Sequence, residues 1–259
     1  MYKSFNSIKT VILCGGTGTR LGRLTKIKPK PMINIGNQPI LWHILKMYHK
    51  RGFNNFILAL GHKSNFIINY FKKYDGKKKE GIKIKIINKE FNKLNSNEIG
   101  IKLAHTGQNT LTGGRLLRLK KLFNSKEKFM LTYGDGVSNI NINKLLSFHN
   151  KNNKVVTVTA VKPPARFGAL KIKKNLVTDF KEKIQTDEGW INGGFFVFNY
   201  KIFDFIKNDS SILEQETMTK VVKKKQINAF KHNGFWQCVD TARDKKILEE
   251  LIKKGKKKW

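Results

Sequence analysis

"LCGGTGTRLGRLTKIKPKPM", residues 13–32, runs from glycines into lysines, with prolines at 29 and 31. Just before it, "TVILC" (10–14) is a short continuous apolar run, the pattern of a strand buried on both faces. The stretch is therefore strand into loop. In an open parallel sheet, ligands bind beyond the carboxyl ends of the strands. Backbone N–H groups of a glycine-rich loop there can cradle phosphate oxygens. Arg20, Lys28 and Lys30 indicate an anionic guest.

Outward from this loop the same alternation continues. "NFILAL" (55–60), "KFMLTYG" (128–134) and "VVTVTAV" (155–161) read as further buried strands. "ILWHILKMYHKRG" carries apolar residues at 40, 41, 44, 45 and 48, which is helical spacing, and ends at Gly52. "SNFIINYFKKY" (64–74), "GGRLLRLKKLF" (113–123) and "NINKLLSFHNKNN" (141–153) read as helices too. Strand–helix–strand order predicts an α/β protein with a doubly wound, mixed but mostly parallel sheet, Rossmann-like, with an irregular second half. In that half "LKIKKNLVTDFKEK" reads as two short strands around a turn, "INGGFFVFN" as a strand, and "FDFIKN" and "ILEQETMTKVVKKK" as helices. "FWQCVDT" reads as a short strand before a last helix, "RDKKILEELIKK", and "KKGKKKW" as a loose, solvated tail. One domain over 1–259 is expected, with residues 9–140 as a nucleotide-binding half and 141–259 as a sugar-binding half.

The 259 residues carry 52 Lys and Arg against 18 Asp and Glu, a formal charge of +34. Such a balance can mark a nucleic-acid binder. Here the lysines are spread along the whole chain rather than gathered into one arm, which favours a compositional bias filling solvated positions. Cys14 and Cys238 give neither a disulfide framework nor metal spacing. No secretory signal and no membrane-length apolar run is read, so a soluble, cytoplasmic protein with no membrane or nucleic-acid partner is expected.

Spacing tests the two familiar phosphate loops. The dinucleotide fingerprint needs G-x-G-x-x-G opening a helix, but Gly16 and Gly18 are followed by Gly22, one residue too far. The P-loop pattern G-x-x-x-x-G-K-[ST] does not occur. What remains is G-G-x-G-T-R-L, a short gap, then K-P-K-P. This resembles the nucleotidyltransferases that join a sugar 1-phosphate to a nucleoside triphosphate. A sugar phosphate is a dianion near neutrality and attacks without a general base. The obstacle is charge repulsion, which fixed cations and a divalent metal must offset. Arg20 and Lys30 are the candidate catalytic cations. Asp135 in "TYGDGV" and Asp240 in "FWQCVDT", both at strand ends, are candidate ligands for Mg²⁺. Read alone, Asp135 is an ordinary turn residue and Asp240 an N-cap of the last helix.

The similarity continues through "GNQPILWHILKMY", "TGQNTLTGGRL", "LTYGDGV", "RFGAL", "INGGFFV" and "FWQCVDT", and is closest in kind to the glucose-1-phosphate cytidylyltransferase family. The resemblance implies CTP and α-D-glucose 1-phosphate as substrates, Mg²⁺ as cofactor, and a homo-oligomer. It gives Leu13, Gly15, Gly16, Gly18, Thr19, Arg20 and Gly134 to the nucleotide, and Thr106, Thr112, Gly113, Gly114 and Arg115 to base and ribose. Lys30 falls beside the α-phosphate. Glu182, Lys183, Asn192 and Gly193 fall to glucose and its phosphate. The chain departs from the family pattern at Cys14, where alanine is usual, and at Cys238 and Ile184, where proline is. No step of this chemistry needs a thiol, so both cysteines are expected to be inert. Two rival readings stay open on sequence alone: transfer to another base or sugar, and a basic nucleic-acid-binding protein without catalysis.

Overall fold

The structure is a computed structural model that describes residues 5, 7–18, 22–91, 94–163, 169–181 and 189–259. In chain order its first half runs β1 (Lys9–Cys14), α1 (Arg23–Ile27), β2 (Asn34–Ile35), β3 (Gln38–Pro39), α2 (Ile40–His49), β4 (Asn55–Leu60), α3 (Ser64–Lys72), β5 (Lys78–Lys79), β6 (Ile82–Ile86) and β7 (Glu98–His105). It continues α4 (Thr112–Arg118), β8 (Lys128–Tyr133), β9 (Gly136–Ser138), α5 (Ile142–Asn152), β10 (Val156–Val161), β11 (Ala169–Lys173), β12 (Leu176–Lys181) and β13 (Ile191–Asn199). Last come α6 (Met218–Lys223), β14 (Ile227–His232), β15 (Trp236–Cys238) and α7 (Ala242–Lys253).

The main sheet has the order β14-β10-β13-β8-β1-β4-β7-β6-β5. The pairs β1–β4, β1–β8, β4–β7, β6–β7 and β10–β14 are parallel, whereas β13 runs antiparallel between β8 and β10. The expected doubly wound, mostly parallel sheet is what forms. Along β1 the side chains alternate between two cores: Ile12 and Cys14 join one cluster with Trp42, Phe56 and Leu248, Val11 and Leu13 the other with Leu116, Phe129 and Val221. A central strand apolar on both faces needs helices on both faces, and this is why "TVILC" shows no polar alternation.

From β1 the chain builds outward through β4 to β7, then returns across the sheet to β8 on the other side of β1. The strand order reverses there, so a crevice opens at the carboxyl ends of β1 and β8. Antiparallel β13 has its beginning, not its end, at the carboxyl end of β8: Phe195 pairs with Thr132, which leaves Asn192 and Gly193 beside that crevice. A two-stranded ladder of β9 and β15 closes the opposite wall.

Four expectations are modified. The segment 113–123 is helical only to Arg118, followed by a 3₁₀ turn, Lys120–Leu122. "ILEQETMTKVVKKK" opens as a π-helical turn, Leu213–Thr217, before α6, and of "FDFIKN" only Phe203–Phe205 is helical, as the end of a 3₁₀ segment, Tyr200–Phe205. The residues "KKGKKKW" do not stay loose. Lys254–Lys258 are exposed, but Trp259 is buried, stacking on Phe235 at 5.8 Å and meeting His43 edge-on. Among the described residues, no helix is long and apolar enough to cross a membrane.

Candidate active site

The K-P-K-P run shows how the sequence aims one lysine. Pro29 sits at φ −66° and ψ 149°, which stops α1, and Lys30–Met32 form a 3₁₀ turn with Pro31 and Met32 buried. The turn leaves Lys28 in solvent and brings Lys30 inward, its side chain 12% exposed. Pro31 lies against Gly134, where a Cβ would come within 2.8 Å of the proline ring. Lys30 Nζ then donates to Asp135 Oδ2 at 2.6 Å and to Asp240 Oδ1 at 2.5 Å. Residues 105 and 210 positions away from Lys30 thus meet at one point. Burial by itself lowers the Lys30 pKa, but the two carboxylates outweigh it and hold the pKa above its ordinary value, so the ammonium stays charged.

Asp135 lies in the turn between β8 and β9. Its carbonyl accepts from Val239 N at 2.8 Å, and Cys238 pairs with Gly136, so the β9–β15 ladder brings Asp240 to its side. Asp240 is not the N-cap of α7. That position belongs to Thr241, whose hydroxyl accepts from Asp244 N at 3.2 Å while Asp244 Oδ2 accepts from Thr241 N at 2.8 Å. The capping box frees Asp240 to face Lys30.

Two cavities flank this point. The smaller, about 550 Å³, is lined by Leu13, the Gly15–Gly18 loop, Lys30, Gln108, Asn109, Thr112, Arg115, Gly134 and Asp135. The larger, about 940 Å³, is lined by Thr112, Tyr133, Asp135, Asn192, Gly193, Glu214, Trp236, Asp240 and Arg243 among others. Thr112, Tyr133 and Asp135 border both. The glycine loop thus lies on one side and "INGG" on the other.

Thr106, Gly113 and Gly114 reach neither cavity. Thr106 is buried and its hydroxyl donates to Leu60 O at 2.7 Å. A Cβ on Gly114 would meet Asp209 O at 2.1 Å, and one on Gly113 would meet Ser211 O at 2.8 Å, so these glycines let α4 press on the backbone of 209–211. Thr19, Arg20, Glu182 and Lys183 lie outside the described residues, as does Ile184.

Arg115 is largely buried and does something the sequence did not announce. Its guanidinium donates to the carbonyls of Leu60 (3.3 Å), Gly107 (2.6 Å), Gly15 (2.9 Å) and Gln108 (3.1 Å) and to Thr106 Oγ1 (2.9 Å). It ties the phosphate loop after β1 to the loop after β7. A Cβ on Gly15 would lie 2.3 Å from its Cζ and one on Gly61 2.2 Å from Nη1, so a glycine on each side is what admits the planar group. The missing side chain of Gly15 therefore makes room for an arginine, while its backbone still lines the smaller cavity. The sequence reading also missed Tyr133, Gln108, Asn109 and Glu214. The first three adjoin motifs already read, while Glu214 sits in an irregular helix with no pattern to mark it.

Cys14 is buried and Cys238 half-buried, both near the carboxylates. Burial first, then Asp135, pushes the Cys14 thiol far up, and burial with Asp240 and Asp135 pushes Cys238 up to about 12. Neither forms a thiolate near neutrality, as expected of inert thiols.

A cation seated between two carboxylates beside a glycine loop, at the switch point of a doubly wound sheet, is an arrangement suited to handling phosphates. The nucleotidyl transferase family pattern matches residues 9–253. The chain belongs to the nucleotidyl transferase family. It is 43% identical over 253 residues to glucose-1-phosphate cytidylyltransferase of Salmonella typhimurium, covering 97% of this chain and 98% of that protein. It is 29% identical to mannose-1-phosphate guanylyltransferase catalytic subunit beta of Dictyostelium discoideum, covering 92% of this chain but 62% of that one. The crystal structure of HddC from Yersinia pseudotuberculosis superposes with a TM-score of 0.70 at 22% identity, over 95% of this chain and 99% of that one. That last likeness is one of fold.

Proposed function

We propose that this chain transfers a cytidylyl group from CTP to α-D-glucose 1-phosphate, giving CDP-glucose and pyrophosphate. The convergence of Lys30, Asp135 and Asp240 between two cavities carries the chemistry. Full-length identity of 43% to a cytidylyltransferase, against 29% to a guanylyltransferase, carries the choice of base. The triphosphate lies along Gly15–Gly18 in the smaller cavity, with backbone N–H groups and Arg20 on its oxygens and Thr112 near the ribose. Asn192 and Gly193 receive the sugar in the larger cavity, and the resemblance gives Glu182 and Lys183 to the same substrate. An oxygen of the sugar phosphate attacks the α-phosphorus, a new P–O bond forms, and pyrophosphate leaves with the electrons of the broken bond. Lys30 stabilises the charge that gathers on the α-phosphoryl oxygens, and the two cavities fix the reactants in line.

Asp135 and Asp240 fit Mg²⁺. Their oxygens lie within about 5 Å of each other across Lys30 Nζ. One or two carboxylates joined by substrate phosphates are the usual donor set for this ion. Bound there, it supplies positive charge against the repulsion between a dianion and a triphosphate. We further propose that the protein acts in the cytoplasm as a homo-oligomer.

³¹P NMR of CTP, glucose 1-phosphate, Mg²⁺ and the protein tests the reaction. Loss of the triphosphate signals with growth of a coupled diphosphate-diester pair and of pyrophosphate is expected. An unchanged spectrum contradicts it.

A further inference from the structure

Glu214 lies on the π-helical turn Leu213–Thr217 and lines the larger cavity. Single π turns cluster at functional sites because the wider turn re-aims one side chain. Glu214 Oε1 accepts from Tyr133 Oη, and Oε2 accepts from Thr112 Oγ1 at 2.7 Å. Asn192 Nδ2 donates to Tyr133 Oη at 3.3 Å, and Leu213 N donates to Thr112 Oγ1 at 2.9 Å. Every bond of this chain runs toward Glu214, which is its terminal acceptor. A carboxylate has about four lone-pair directions and, among the described residues, two are used, so acceptor capacity remains in an exposed group lining a cavity. Its neighbour Glu216 is used differently, accepting from Ile212 N at 3.0 Å as a local helix contact.

The charge limits what Glu214 can meet. Of the carboxylates lining the larger cavity, Asp135 and Asp240 hold Lys30 and Asp244 sits in the capping box of α7, whereas Glu214, among the described residues, is held by neutral hydroxyls alone. It repels a phosphate. It attracts a neutral group rich in O–H donors, and the part of a sugar 1-phosphate that fits this is the ring with its hydroxyls. Thr112 borders both cavities, so the same carboxylate also ties the sugar side to the nucleotide side.

We infer that Glu214 accepts a hydrogen bond from one hydroxyl of the sugar ring and selects the sugar 1-phosphate by it. The inference rests on the reaction proposed above. The test compares wild type, Glu214→Gln and Glu214→Ala with CTP and, in turn, glucose 1-phosphate and its 2-, 3-, 4- and 6-deoxy analogues. The wild type is expected to lose kcat/KM about 10- to 100-fold with one of the analogues, the factor that a single charge-assisted hydrogen bond carries. The variants should lose a similar factor with glucose 1-phosphate and show no further loss with that analogue. Glu214→Gln retains the shape of the side chain and carries the test if Glu214→Ala does not fold. Losses that add for every analogue would overturn the inference and leave Glu214 a support for Tyr133 and Thr112. A folded wild type that releases no pyrophosphate from CTP and glucose 1-phosphate would overturn the reaction itself, and the inference with it.

Discussion

Arg115→Ala separates two roles that the sequence and the structure give one residue. If Arg115 only touches nucleotide, its removal weakens CTP binding and leaves the fold alone. If it clamps the loops, its removal destabilises the free protein. Five acceptors lose a donor, but not equally. Leu60 O keeps Thr106 N and Thr106 Oγ1, and Gly15 O keeps His62 N. The loss falls on Gly107 O and Gln108 O, at about 1–3 kcal/mol for an acceptor left unmet and toward the lower end where water can reach, as it can at exposed Gln108. The space between Gly15 and Gly61 is also emptied. Together these cost about 2–4 kcal/mol, a large share of a total stability near 5–15 kcal/mol. For a chain of this size the melting temperature falls by roughly 5–15 °C. Arg115→Lys keeps the charge but not the planar fork, and should recover less than half of the loss. Urea and thermal denaturation without nucleotide, alongside initial rates at varied CTP, measure both effects. A variant within about 0.5 kcal/mol of wild type, the range of neutral surface changes, with only KM for CTP raised would refute the clamp.

Lys30→Ala should reduce turnover by more than about a hundredfold, since one lost charge-stabilising donor at a reacting centre is worth that much; a rate near wild type would remove Lys30 from the α-phosphate. Asp135→Asn should raise sharply the Mg²⁺ concentration needed for half-maximal activity, and an unchanged titration would count against Asp135 as a ligand. Lys257 is exposed as a residue, but its Nζ donates to Nδ1 of the buried His43 at 3.1 Å, and desolvation there, then Lys46 and Lys50, lower its pKa from 10.5 to about 8. Between those two values the unfolded chain binds more protons than the folded one, so wild-type stability should gain with rising pH over that window. Denaturation curves of Lys257→Met should lack that gain; the same gain in the variant would assign it to another group.

Much of the fold was readable because its signals are local. "TVILC" and "NFILAL" are apolar on both faces since helices cover both, and Gly52 and Pro29 stop their elements by backbone chemistry. The site was readable in part for the same reason: glycine loop, K-P-K-P and two aspartates at strand ends each carry their own rationale. What escaped depends on contacts distant in sequence. β14, "INAFKH", is an edge strand half open to solvent and lacks a buried run. Trp259 stands alone in a lysine run, and only its place against Phe235 and His43 explains its burial. Arg115 looks like one more cation until Gly15 and Gly61 are seen to enclose it. Glu214 has no sequence signature because its meaning comes from Tyr133, Thr112 and Asn192, brought to it from elsewhere in the chain.

Pyrophosphate release with Mg²⁺ and glucose 1-phosphate, assayed separately with CTP, UTP, dTTP, ATP and GTP, tests the central claim most directly. Release with CTP and little or none with the other four is the predicted result. Release with another nucleotide in preference to CTP would contradict the assignment of the base, and no release with any of the five would contradict the proposed reaction.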